Sequence, residues 1–101
     1  MPWTAPEMLK GERYNEKVNV YAFGICVWEI VTRRLPYAGI QSPRVITSVI
    51  NGMRPSVPDD CPAGLGQLMA DCWHASAARR PSFDEVARRL AHLRGDGETA
   101  R

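Results

Sequence analysis

The sequence predicts an all-α fold, and three observations carry that expectation. Apolar residues recur at helical spacing in several segments, capping residues bracket those segments, and no stretch alternates apolar with polar residues as a half-buried strand would. The 101 residues are enough for one small domain, and a chain of that size buries only roughly two-thirds of its unfolded surface. Hydrophobic residues make up 45% and charged residues 24%, a globular composition rather than a disordered one.

The elements follow in order. Pro6 opens a short helix through Lys10, with Glu7 favourable at the positive end of its dipole and Gly11 suited to closing it. Asn15 is then positioned to cap the longest apolar stretch, Val18 to Val31. Apolar residues on all its faces predict a helix buried all round, around which the others pack. Arg33 to Gly39 reads as a loop, because Pro36 cannot continue a helix and the arginines favour the preceding negative helix end. Ser42 as N-cap and Pro43 at the first helical position start a helix carrying Val45, Ile46, Val49 and Ile50, which Gly52 ends.

Arg54 to Pro62 holds three prolines and two acids and predicts an irregular connection, with Asp59 and Asp60 in a turn. Leu65, Leu68, Met69 and Cys72 then fall at i, i+3, i+4 and i+7, one face of a helix ending near Trp73, whose first turn is weakened by Gly64 and Gly66. Ser82 and Glu85 make a capping box for a last helix that presents Val86, Leu90 and Leu93. Asp84 with Arg88 and Glu85 with Arg89 are i, i+4 pairs in the favourable orientation. Residues 94–101 form a polar tail.

Charge and cysteine content exclude several functions. The net charge of +2 is too small for nucleic acid to be the main partner, despite Arg79-Arg80 and Arg88-Arg89. Three cysteines without a secretory signal argue against a disulfide framework and for a cytoplasmic location. Cys26 and Cys72 read as small core residues. Cys61, Cys72 and His74 lack the paired spacing of a zinc site, so no metal ligands are expected. His74 suits a dipole contact at a helix end, and His92 falls on a charged face. Gly95 to Ala100 fits a dinucleotide fingerprint in letters only, since no strand precedes it and no helix follows. No apolar run is long enough to span a bilayer, and no serine or cysteine has an identifiable base partner. Eleven of the thirteen basic residues are arginine, which keeps its charge when buried and forks onto carboxylates, so a structural arginine is expected.

Five ordered segments together resemble the protein kinase catalytic domain. Trp3-Thr4-Ala5-Pro6-Glu7-Met8-Leu9 is similar to the Ala-Pro-Glu segment that closes the activation region. Lys17 to Ile25 with Trp28-Glu29-Ile30 resembles the family's central buried helix, and Leu35-Pro36-Tyr37-Ala38-Gly39 the loop after it. Arg54 to Pro58 with Cys61-Pro62, and Cys72-Trp73 with Arg80-Pro81-Ser82-Phe83, resemble the last two signatures. The resemblance covers residues 1 to 93 and is nearest to the tyrosine-kinase and tyrosine-kinase-like branches, which makes this chain the C-terminal lobe part of a two-lobed fold.

That resemblance implies roles. Glu7 and Arg80 form a structural ion pair, and Trp3 and Thr4 contact the substrate residue just after the phosphorylated one. Asn19 stands where the family usually has an aspartate that anchors the catalytic loop, so its hydrogen bonds are neutral and weaker. Val45, Ile46, Val49 and Ile50 lie on a helix that often docks partners, and Ala77 replaces a usual proline. Phosphoryl transfer also needs a glycine-rich loop, a strand lysine, a catalytic-loop aspartate and a metal-binding aspartate, none of which is in these residues. The implied function is therefore a fragment of an ATP-dependent protein kinase. ATP and magnesium are bound elsewhere in the complete enzyme, and the implied partners are a protein substrate and the remainder of the kinase domain. Met1 is then either an internal methionine of a longer protein or the start of a remnant. The alternative is a catalytically dead helical module that binds a partner through the Val45 to Ile50 helix. Met1-Pro2-Trp3 fits the serine/threonine spacing slightly better, but the residues that decide specificity lie upstream.

Overall fold

A computed structural model describes residues 2–94, and every regular element among them is helical. The expected polar tail and fingerprint-like run therefore lie outside the described residues, except that Arg94 caps the last helix. Helix α1 spans Pro6–Leu9, α2 Lys17–Thr32, α3 Ser42–Ile50, α4 Ala63–Cys72 and α5 Phe83–Leu93, with a short 3-10 turn at Ala77–Arg79.

The turn chemistry explains where these helices stop. Gly11 and Gly52 take positive φ (73° and 107°) just past α1 and α3, the left-handed exit that a side chain resists. Helix α2 ends instead on Arg33, left-handed at φ 57° without being glycine. Its start uses Asn15 as anticipated, whose side-chain oxygen accepts from the Lys17 amide at 2.9 Å. Ser42 is not a cap: it is already helical, and Gln41 precedes α3 with no side-chain cap bond. Pro43 in the first turn has no N–H to satisfy, and the Gln41 carbonyl accepts from the Arg44 and Val45 amides at 3.0 and 3.1 Å.

Ser82 does cap α5, accepting from the Glu85 amide at 3.2 Å. The Glu85 carboxylate accepts from Arg88, one turn further on, at 2.6 Å rather than reaching back to the cap. Arg89 crosses to Asp71 on α4 at 2.9 Å. The two expected i, i+4 pairs thus give way to an i, i+3 pair and an interhelix bridge, because α4 places a carboxylate within reach.

The core lies where α2 crosses α4. Tyr21, Ile25 and Trp28 pack with Met69, Trp73 and Ala5, while Val20 packs with Leu68, Cys72 and Val86 of α5. Each fully buried aliphatic side chain there contributes about 1.5–3 kcal/mol relative to exposure. Gly24 permits the close crossing: a Cβ at that position would sit 2.8 Å from Cys72 Cβ.

One expectation about α2 is overturned. It is not buried all round, for Cys26 is exposed and Ile30 is 76% exposed. Nor is Cys26 a core residue, unlike Cys72, which is buried with its thiol pushed up to about 11 by desolvation. The reason is visible in the dimensions. The chain extends 50 × 30 × 15 Å, a thin slab that covers only one side of its longest helix.

Candidate functional site

The site is built around Arg80, whose side chain is 0% exposed. Its guanidinium grips Glu7 with two parallel bonds, 2.7 Å to Oε2 and 2.8 Å to Oε1. It also donates to the main-chain carbonyls of His74 (2.8 Å) and Lys17 (3.2 Å). Lys17 returns the contact by donating to the Arg80 carbonyl at 2.6 Å. A residue before α5 thus holds α1, the first turn of α2 and the loop after α4 in one register. The Arg80 hydrogen bond is the main cause that lowers the Glu7 carboxyl below the ordinary glutamate value of 4.5, against a desolvation that raises it.

Tyr21 of α2 lies under this pair and is fully buried. The Arg80 guanidinium is 5.2 Å from its ring centroid, and so is that of Arg54. Arg54 itself donates to the carbonyls of Trp73 (2.8 Å), Met53 (2.7 Å) and Val49 (3.1 Å). The Tyr21 and Tyr37 hydroxyls are both buried and face each other, outside strict hydrogen-bond geometry. Burial pushes both phenols upward, and each influences the other's ionisation. Tyr37 also takes φ 57°, unusual for an aromatic residue.

The other singled-out residues are more scattered. Trp3 is 39% exposed, and its indole N–H donates to Glu29 Oε1 on α2 at 2.6 Å. Thr4 is half-buried beside it in the chain, and Asn19 is exposed on α2. On α3, Val45 and Val49 are buried, and Ile46 and Ile50 are half-buried. Val45 and Val49 therefore cannot offer an open apolar face to a partner. The His74 Nδ1 accepts from the Ser76 amide at 2.9 Å. Ala77 joins the 3-10 turn leading into Arg80.

Among the described residues, no group of three or more His, Cys, Asp or Glu side chains converges to hold a metal ion. No helix among the described residues is long and apolar enough to cross a membrane. What the arrangement does chemically is fix the placement of residues 3–9 against α2 and α5. Sequence reasoning found the Glu7–Arg80 pair but missed Arg54, Tyr21 and the Trp3–Glu29 bond. The arginine excess was the available signal for Arg54, which sits just past the α3 glycine where helix carbonyls go unpaired.

The model of the protein tyrosine and serine/threonine kinase family matches residues 1–90. The chain belongs to that family. The kinase segment is 43% identical over 93 residues to a putative serine/threonine-protein kinase/receptor of Acanthamoeba polyphaga mimivirus, covering 92% of the segment and 6% of the relative. It is 45% identical over 92 residues to a probable serine/threonine-protein kinase of Dictyostelium discoideum, covering 90% and 10% respectively. It is also 39% identical over 93 residues to the dual specificity protein kinase pyk3 of the same organism, covering 91% and 7%. The kinase segment therefore spans only a small part of the curated relatives it matches.

Proposed function

We propose that this segment is part of the C-terminal lobe of a protein kinase of the tyrosine-kinase or tyrosine-kinase-like branch. In the complete enzyme phosphate passes from ATP to serine, threonine or tyrosine of a protein substrate. Here the segment supplies scaffold and substrate contacts, with Trp3 and Thr4 meeting the residue after the phosphorylated one. Glu7 and Arg80 hold that strip of chain in place, and Asn19 anchors the catalytic loop through neutral hydrogen bonds. ATP and magnesium are bound by parts of the enzyme other than these residues.

The observation that carries this reading is the buried two-pronged Glu7–Arg80 pair, which joins two kinase-like signatures 73 positions apart. The open face of α2 supports it. Cys26 and Ile30 are exposed on a helix whose opposite face forms the core, as expected if a further layer of the lobe packs there. The alternative of a docking module acting through α3 is disfavoured by the burial of Val45 and Val49.

The test compares the chain alone with the longer reading frame that contains it. Calorimetry with ATP and magnesium should show saturable binding by the longer protein and none by the chain. Thiol labelling of the longer protein should find Cys26 protected. Saturable ATP binding by the chain alone, or a freely reactive Cys26 in the longer protein, would overturn the assignment.

A further inference from the structure

Arg54 is a second internal arginine with a different set of partners from Arg80. Its hydrogen bonds run to main-chain carbonyls, and two of these close helices: Val49 in the last turn of α3 and Trp73 at the C-cap of α4. Carbonyls at helix C-termini lack the usual i+4 donors and carry the negative end of the dipole, so one guanidinium joins two helix ends, at Val49 beside the Gly52 amide from which this carbonyl also accepts. The third bond, to the Met53 carbonyl, fixes the side chain against its own backbone. This places the charged group 5.2 Å from the Tyr21 ring centroid, the same distance as Arg80.

These contacts close a circuit. Helix α1 packs on α3. Glu7 of α1 is held by Arg80, Arg80 lies over Tyr21, Tyr21 lies beneath Arg54, and Arg54 holds the end of α3. A displacement of α3 therefore cannot leave the ring contact of Arg80 unchanged unless Arg54 lets go. Tyr21 is 0% exposed and held in the second turn of α2, so it cannot swing away to absorb the movement.

We propose that Arg54 is a positioning residue which, through the Tyr21 ring, couples the placement of α3 to the Glu7–Arg80 pair and so to the Trp3–Thr4 strip. This rests on the reading of that strip as a substrate contact. A ligand or substitution that shifts α3 would then change affinity for protein substrate without acting on nucleotide, with a coupling of about fivefold or more. The physical warrant is the shared aromatic ring, because two cations on one buried ring cannot be repositioned independently.

The experiment uses the full-length kinase with Arg54→Lys, Tyr21→Leu and the double substitution. Lysine keeps the charge but cannot fork to three carbonyls, so it tests geometry with little change of volume. The first readout is amide hydrogen exchange. Coupling predicts that Arg54→Lys speeds exchange at residues 7–10 of the α1 region as well as at the ends of α3 and α4. The second is steady-state kinetics, with KM for protein substrate expected to rise about fivefold or more while KM for ATP stays within about twofold. The double substitution should be no worse than the more severe single one, since both cut the same circuit.

Exchange changes confined to α3 and α4 would overturn the coupling, as would equal shifts in both KM values or additive effects in the double variant. If Tyr21→Leu does not fold, Arg54→Lys decides the matter by the exchange pattern alone. A wild-type protein without phosphotransfer would sink the substrate reading instead, and the exchange pattern would still accept or reject the circuit.

Discussion

Cutting the Glu7–Arg80 pair on one side should destabilise the fold far more than its single ion pair would suggest. The Arg80 side chain is 0% exposed and that of Glu7 12%, so neither charge can recover full hydration when its partner is lost. In Glu7→Ala the guanidinium keeps the His74 and Lys17 carbonyls but loses both charge-assisted bonds. Breaking a buried pair in this way costs about 3–5 kcal/mol, against about 0–1 kcal/mol for an exposed one. Replacing both partners, as Glu7→Leu with Arg80→Met, should cost less than either single change, because no charge is then left stranded. The assay is urea unfolding of the kinase domain that contains this segment, followed by tryptophan fluorescence. A Glu7→Ala cost below about 1 kcal/mol would refute the reasoning, since the pair would then behave like a surface contact. The pH dependence gives an independent check. The folded Glu7 carboxyl lies below its ordinary 4.5, so its contribution is complete above that value and is lost as pH falls through the depressed one. Glu7→Gln should therefore flatten the acid limb of the stability profile, and an unchanged acid limb would count against the lowered carboxyl.

Further outcomes follow from single positions. Gly24→Ala places a methyl 2.8 Å from Cys72 Cβ and 3.3 Å from the Met69 carbonyl, so it should cost about 1–3 kcal/mol by denaturant titration despite alanine's better helix propensity. Arg33→Gly relieves a left-handed residue at the exposed end of α2 and should raise stability by up to about 1 kcal/mol, seen as a higher urea midpoint. Ser82→Ala removes the oxygen that accepts from the Glu85 amide and should cost about 0.5–2 kcal/mol in the same titration.

The positions where sequence reasoning succeeded share a cause. Gly11, Gly52, Asn15 and Ser82 act through chemistry spanning a few residues, so their roles are encoded locally. Ser42 went otherwise because α3 begins one residue earlier than expected, with Gln41 in extended backbone at the cap position and Ser42 already helical. Glu85 and Arg89 departed from their predicted pairing because competing partners exist in space, Arg88 on the next turn and Asp71 on a neighbouring helix. Cys26 and Ile30 were misplaced for a different reason: periodicity shows that a helix is apolar on a face but not what covers that face.

By itself, the sequence determined the helical class, the element order and the kinase family, because these depend on local propensity and on the order of short signatures along the chain. It also marked Glu7 and Arg80 as partners, though only through the resemblance. Tertiary structure alone decided that two arginines share the Tyr21 ring, that Trp3 bonds to Glu29, and that Val45 and Val49 are core. Those facts depend on how helices cross, which is set by the close approach of α2 and α4 at Gly24 and by which donors then meet the open ends of the helices.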